Sequence, residues 1–333
     1  MPDPVIAVSD SVFPDLNPAR MVLSGIAAKL RMAEQNTPAA ILQVAAEADG
    51  VLVTYAQITA AMIQQMSRCR IIARFGIGVD NVDVAAASKA GIVVTRVPDY
   101  CIEEVADHAM ALLLALARKV PLANALTHAG RWELAVLTPI HRLRGRTLGL
   151  VGFGRIPQAV VPRAKQFGLH VVSHDPFVAG ETMAKAGVEK VEFAALLKNS
   201  DFISIHAPLT PETTQLFNAA AFAQMKATAY LINTARGPIV DEIALARALD
   251  GEQLAGAALD VLSHEPPVDS PLLRRENVIL TPHMSFYSVE SLVDLQTKAA
   301  EEVVRVMRGE MPLHAVNPEV LSSRRERHAM VDG

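Results

Sequence analysis

The sequence predicts an α/β protein built from two doubly wound parallel sheets, and three observations carry that expectation. Short β-branched runs alternate with longer alanine-rich segments, the pattern of strand–helix–strand units. The runs are apolar at successive positions rather than at alternate ones, as in strands covered on both faces. The rhythm restarts after residue 146 of 333, which gives two sheets in domains of ordinary size, about 100–200 residues each. Hydrophobic residues make up 51% and aromatic residues only 5%, with Trp132 the single tryptophan, so aliphatic side chains must fill the cores.

The first strand series falls at residues 5–8, 51–53, 71–73 and 92–94, with helices at 58–66 and 84–90. The second falls at 147–151, 170–172, 202–205, 230–232, 256–259 and 278–280. Its helices are predicted near 157–167, 193–197, 219–225 and 242–249. Residues 102–118 read as one long helix, acidic at its start (Glu103, Glu104, Asp107) and basic at its end (Arg118, Lys119), a polarity that suits the helix dipole. Its middle, 110–116, is apolar all round, which predicts burial between elements or against a second subunit. A last helix is predicted at 289–308. The tail from Ser322, with Arg324, Arg325 and Arg327, lacks apolar periodicity and is expected to fray.

Composition excludes several function classes. Lys and Arg number 31 against 35 Asp and Glu, a net charge of −4. That is no basic surplus for nucleic acid or for an anionic membrane surface. The longest uncharged apolar run, 109–117, is far short of the ~20 residues that cross a bilayer. Two cysteines with no CxxC pair argue against a disulfide framework and a cysteine metal site. No basic stretch followed by an apolar one opens the chain at Met1-Pro2-Asp3-Pro4, so no secretion signal is read there and a cytoplasmic setting is expected.

One motif carries cofactor chemistry. The strand 147–151 runs straight into Gly152-Phe153-Gly154-Arg155-Ile156-Pro157, and a helical pattern follows. This GxGxxP is a variant of the GxGxxG turn, in which Gly152 allows the tight turn and Gly154 lets backbone approach a pyrophosphate. The helix N-terminus that follows supplies amide donors and a positive dipole end, and Arg155 and Ile156 in the turn are further cofactor-binding candidates. Asp175 ends the next strand, where a carboxylate accepts from ribose hydroxyls and repels a 2′-phosphate, so NAD is favoured over NADP. Pro157 departs from the pattern, though proline is tolerated in a helix's first turn.

Four further segments bring a family into view. They are Gly76-Ile77-Gly78-Val79-Asp80-Asn81, Asn233-Thr234-Ala235-Arg236-Gly237-Pro238, Ala258-Leu259-Asp260-Val261 through His264-Glu265-Pro266, and Thr281-Pro282-His283. In this order they resemble the D-isomer-specific 2-hydroxyacid dehydrogenase family. Tyr100 to Asp107 and Phe286-Tyr287-Ser288 are most similar to its phosphoglycerate-dehydrogenase-like and C-terminal-binding-protein-like branch. The resemblance implies a discontinuous substrate domain, 1–100 plus 288–333, around an NAD-binding Rossmann-like domain, 101–287. It places the active site in the cleft between them. It also implies a homodimer joined through the cofactor domains by the 102–118 helix and the 122–132 segment.

Reducing a 2-keto acid requires a grip on the carboxylate, a polarised carbonyl and a proton for the forming alkoxide. Arg236, just past a strand end, suits the first two because a guanidinium binds carboxylate in a bidentate way and stays charged. His283, also at a strand end, suits the third, since an ordinary imidazole titrates near 6.5. Glu265 would orient that imidazole and favour its protonated form, while His264 is expected to be solvated. The resemblance assigns the same three residues. It further implies substrate contacts from the Gly76, Ile77 and Gly78 amides, a nicotinamide contact from Asp260, cofactor contacts from Thr234 and Ala235, and an adenine-side loop carrying His206, Pro208 and Thr213.

Tyr55 lies in the expected substrate loop, where Val53 and Gln57 offer no cation for a phosphate. With Phe286 it favours a small or apolar 2-keto acid over phosphoglycerate. Two alternatives share the resemblance: an NAD(H)-sensing scaffold, for which a complete triad is unnecessary, and a phosphite-dehydrogenase-like enzyme with the same triad. Formate dehydrogenases of this fold carry glutamine in place of the glutamate, and Glu265 speaks against that chemistry.

Overall fold

The computed structural model describes residues 3–321; the tail from Ser322 lies outside them. The chain begins β1 (Val5–Val8), α1 (Asn17–Ser24), β2 (Lys29–Met32), α2 (Pro38–Ala45), β3 (Gly50–Val53), α3 (Ala60–Ile63), β4 (Ile71–Arg74), α4 (Val84–Lys89) and β5 (Val93–Thr95). It continues through α5 (Ile102–Arg118), α6 (Val120–His128), β6 (Thr147–Val151), α7 (Arg155–Gln166), β7 (His170–His174), α8 (Gly180–Lys185), β8 (Glu189–Lys190), α9 (Phe193–Asn199), β9 (Phe202–Ile205) and α10 (Ala219–Phe222). It ends with β10 (Tyr230–Asn233), α11 (Glu242–Asp250), β11 (Gly256–Leu259), β12 (Val278–Leu280) and α12 (Val289–Met307).

These elements make two compact units, one from the chain up to Tyr100 together with the stretch from Ser288 on, the other Cys101–Tyr287. The first holds a five-stranded sheet in the order β2-β1-β3-β4-β5, parallel throughout. The second holds a seven-stranded sheet, β12-β11-β10-β9-β6-β7-β8, also parallel throughout. Both are α/β sheets of the class the sequence predicts.

In the larger unit one sheet face packs against α5 and α7, with Leu148 and Leu150 against Leu113, Leu116 and Val160. The other face packs Ile203, Ile205 and Leu231 against Leu197, Phe222 and Leu245 of α9, α10 and α11. Each fully buried aliphatic side chain of this kind contributes about 1.5–3 kcal/mol. The helices stop and start on local chemistry: Asp241 accepts from the amides of Ile243 and Ala244 to cap α11, and Ser288 with Ser291 forms a capping box on α12.

Two expectations need correction. The 58–66 helix shrinks to Ala60–Ile63, because Ile58 is drawn into a parallel bridge with Val82. The helix after the glycine turn begins two residues earlier than predicted, at Arg155. The apolar middle of α5 turns Leu112, Leu113 and Leu116 inward against the sheet, while Ala111 lies on its exposed side. Among the described residues no single helix is long and apolar enough to cross a membrane.

Candidate active site at the carboxyl edge of the seven-stranded sheet

Register places the candidate residues. Val151 pairs with His174 and with Ile205, Ile205 with Asn233, Asn233 with Leu259, and Leu259 with Leu280. The next residue on each strand therefore falls in one row: Asp175, Gly152, His206, Thr234, Asp260 and Thr281. All six leave the sheet at its carboxyl edge. Chain order reverses between β6 and β9, and α/β ligands bind at that switch point.

The turn after β6 is shaped for a pyrophosphate. Gly152 sits at φ +96°, and a Cβ there would come within 3.0 Å of the His206 backbone. Gly154 is the N-cap of α7 with no side-chain bond across it, and nothing lies within 4 Å of where its Cβ would stand. That open space borders the first turn of α7, at Arg155 and Ile156, where helix amides lack intrahelical partners and an anion can be held. Pro157 falls third in α7 and is buried, in the turn where amides lack intrahelical partners, so it removes no helix bond.

Asp175 braces the same turn. Its Oδ2 accepts from the Phe153 amide at 2.8 Å, and its Oδ1 accepts from the amides of Phe177 and Val178. A carboxylate has about four acceptor positions, so capacity for a ribose hydroxyl remains. Thr234 carries a buried hydroxyl with no hydrogen-bond partner among the described residues, an orphaned polar atom of the kind a bound cofactor satisfies. His206 meets Ser204 Oγ through Nε2 at 2.9 Å, and burial pulls its pKa down from 6.5 to about 4. Thr213 donates to the Pro208 carbonyl at 2.7 Å, which closes the loop after β9 on itself. The Ala235 amide donates to Asn233 Oδ1 at 2.9 Å. These residues fit a dinucleotide.

Arg236 follows β10 in extended conformation, N-terminal to a 3-10 turn at Gly237–Ile239, and its Nη1 donates to the Ala235 carbonyl at 2.8 Å. The neighbouring Gly237 lies against the backbone of Leu262 and Ser263, where a Cβ would overlap the Leu262 carbonyl. The loop that bears Glu265 is thus fitted to the Arg236 segment by backbone contact. Glu242, at the start of α11, holds that loop from behind, accepting from the Ser263 amide at 2.6 Å and from Ser270 Oγ at 2.8 Å.

Glu265 accepts from the Leu262 amide through Oε1 at 2.9 Å and meets His283 Nδ1 through Oε2 at 2.7 Å. His283 itself takes φ +50°, uncommon for a residue with a side chain. Its amide donates to the Asp260 carbonyl at 2.8 Å, and its ring lies edge-on to Phe286. His264 is exposed.

The remaining candidates lie on the other unit. Tyr55 follows β3, with its amide on Asp10 Oδ2 at 2.6 Å. Gly76, Ile77 and Gly78 follow β4, and the buried Arg74 passes so close to Gly76 that a Cβ there would overlap its guanidinium. Sequence reasoning missed Arg74, Glu242 and His108. The partners of Glu242 and His108 are set by sheet register, which no local spacing reveals. Among the described residues, no three of His, Cys, Asp or Glu converge to hold a metal ion.

A doubly wound parallel sheet with a glycine turn and an acidic residue at its switch point defines a dinucleotide-binding domain of the oxidoreductase kind. Residues 110–285 match the D-isomer specific 2-hydroxyacid dehydrogenase NAD binding domain. A D-3-phosphoglycerate dehydrogenase of Methanocaldococcus jannaschii is 42% identical over 262 residues, covering 78% of this chain and 50% of that protein. A glyoxylate reductase of Korarchaeum cryptofilum is 42% identical over 271 residues, covering 80% and 82% respectively. The crystal structure of D-lactate dehydrogenase from Aquifex aeolicus, complexed with NAD and lactic acid, superposes with a TM-score of 0.85 at 28% identity, over 94% of this chain and 99% of that one. The chain belongs to the D-isomer specific 2-hydroxyacid dehydrogenase family, and its cofactor is NAD. It spans about half the length of the archaeal phosphoglycerate dehydrogenase.

Proposed function

We propose that the protein is an NAD-dependent D-2-hydroxyacid dehydrogenase that interconverts a small 2-keto acid and its D-2-hydroxy acid. The observation that carries this reading is the 2.7 Å His283–Glu265 pair on the same sheet edge as Arg236 and the glycine turn. When bound, NADH supplies the hydride that reaches substrate C2. Arg236 holds the carboxylate and draws charge onto the carbonyl oxygen. His283, with Nδ1 turned to Glu265, delivers the proton to that oxygen from Nε2, and Glu265 stabilises the imidazolium beforehand. The Ile77 and Gly78 amides are candidate substrate donors, whereas the Gly76 amide is taken by the Arg74 carbonyl at 2.9 Å and the Asp260 carboxylate is buried and filled by the donors of its own turn.

Steady-state turnover of NADH with a panel of 2-keto acids tests this directly. His283→Ala should lower kcat by about 100- to 10,000-fold, the usual worth of a general acid, with NADH affinity kept. Normal turnover in that variant would remove His283 from the mechanism. NADH binding without turnover of any acid would favour a sensing role. Within the panel, 3-phosphooxypyruvate, the keto form of phosphoglycerate, should be a poor substrate, because Val53 and Gln57 flank Tyr55 without a cation; a kcat/KM matching that of the best small acid would overturn this.

The exposed apolar side of the cofactor unit supports a homodimer. Helix α6 has no buried residue, Trp132 is 89% exposed and Leu134 73%, and apolar surface gathered in this way marks an association site. Sedimentation should show a dimer that Trp132→Arg dissociates. Cys69 and Cys101 are both buried thiols, which supports a reducing, cytoplasmic setting.

A further inference from the structure

Asp260 organises the turn that follows β12. Its Oδ1 accepts from Thr281 Oγ1 at 2.6 Å and from the Met284 amide at 2.9 Å, and its Oδ2 accepts from the Ser285 amide at 2.8 Å. Its backbone carbonyl takes the His283 amide at 2.8 Å. The turn that carries His283 in its left-handed conformation is therefore fastened at residues 281, 283, 284 and 285 to one residue just past the end of β11, an inner strand of the sheet. Asp260 is fully buried, so these donors are what hold its charge in place.

A third side chain completes the clamp. His108, on α5, brings Nε2 to 3.1 Å from Thr281 Oγ1 and to 3.7 Å from Asp260 Oδ1. Thr281 has a single hydroxyl hydrogen, and at 2.6 Å it goes to the anionic carboxylate, the stronger acceptor. The Thr281 oxygen then faces His108 as an acceptor, which assigns the hydrogen on the imidazole to Nε2. The chain of donors runs from His108 through Thr281 to Asp260.

We infer that His108 is a positioning residue for the acid/base histidine: it donates to Thr281, fixes the hydroxyl that binds Asp260, and so keeps the 281–285 turn in the geometry that presents His283. The inference rests on the proposed role of His283. It adds a residue one helix away that touches neither the substrate nor the reacting atoms. A small loss of aim at a proton donor is costly, because proton transfer needs a heavy-atom separation of about 2.6–3.2 Å.

The test compares His108→Leu, which has no donor, with His108→Gln, whose side-chain amide can donate to Thr281, using NADH and the best 2-keto acid of the panel. His108→Leu is expected to lose about tenfold in kcat, with KM for the acid and the Kd for NADH within about twofold of the parent. His108→Gln is expected to recover most of that loss. Wild-type kcat in His108→Leu would overturn the inference. So would equal loss in both variants with a matching fall in Tm, which marks a packing role, or a loss confined to NADH affinity, which marks a cofactor role. His283→Ala, run alongside, separates the two levels: if it retains turnover, the proposed mechanism fails; if it is inactive while His108→Leu is normal, only the clamp fails.

Discussion

Gly237 is the residue at which the carboxyl edge of the seven-stranded sheet has least room. Its backbone lies against Leu262 and Ser263, where a Cβ would overlap the Leu262 carbonyl. The neighbour is backbone, so it cannot swing aside as a flexible side chain would. Gly237→Ala must displace either the Arg236 segment or the loop that bears Glu265. It is expected to lower stability by about 1–3 kcal/mol and kcat by tenfold or more, checked by urea unfolding and by turnover. Wild-type activity in this variant would mean that the fit between the two loops is unimportant. At this scale much of the site is legible in the sequence. Gly152, Asp175, Arg236, Glu265 and His283 stand in motifs that directly follow strands, and the chemistry of each residue type points to its place. What the sequence hides are contacts made across the sheet. Glu242 reaches Ser263 and Ser270, and His108 reaches Thr281, pairs far apart in sequence that only register joins.

Among the elements, α7 carries the helix end proposed to hold the cofactor. Gly154 has φ −76° and ψ −160°, a conformation that alanine adopts without strain, and a Cβ there meets nothing within 4 Å. Gly154→Ala should therefore raise stability by about 0.4–1 kcal/mol through the unfolded chain. The added methyl would stand in that open space and weaken NADH by about tenfold. Thermal melting and fluorescence titration read the two effects separately, and unchanged NADH affinity would show that the pyrophosphate does not approach Gly154. Elements with continuous apolar runs, such as β1, β6, β9, β11 and β12, are legible to the residue. β2 is not, because Lys29–Met32 lies at a sheet edge with little of it buried, so no apolar period marks it. Helix α8 escapes for a similar reason: Gly180–Lys185 buries only Met183.

For the whole molecule, strand–helix alternation is enough to predict two parallel sheets, since that alternation leaves few other ways to bury continuous apolar strands. It cannot predict how the folded chain responds to pH, which depends on what burial does to single groups. His206 is the clearest case. Burial lowers its pKa from 6.5 to about 4, so the folded chain keeps the ring neutral where the unfolded chain would protonate it. Between these values the unfolded state binds more protons, and stability falls as the pH falls. The contribution is intact above about pH 6.5 and is lost by about pH 4, amounting to at most ~2 kcal/mol between pH 6.5 and 5. The ring is only partly shielded from solvent, which makes that figure an upper bound. Urea unfolding at pH 7.5 and 5.0, followed on the transition that NADH shifts upward, should show this loss in the parent. His206→Gln cannot take up the proton, so its stability should fall less across the same interval. An equal fall in both chains would show that His206 titrates alike in the folded and unfolded states and that the acid sensitivity lies elsewhere.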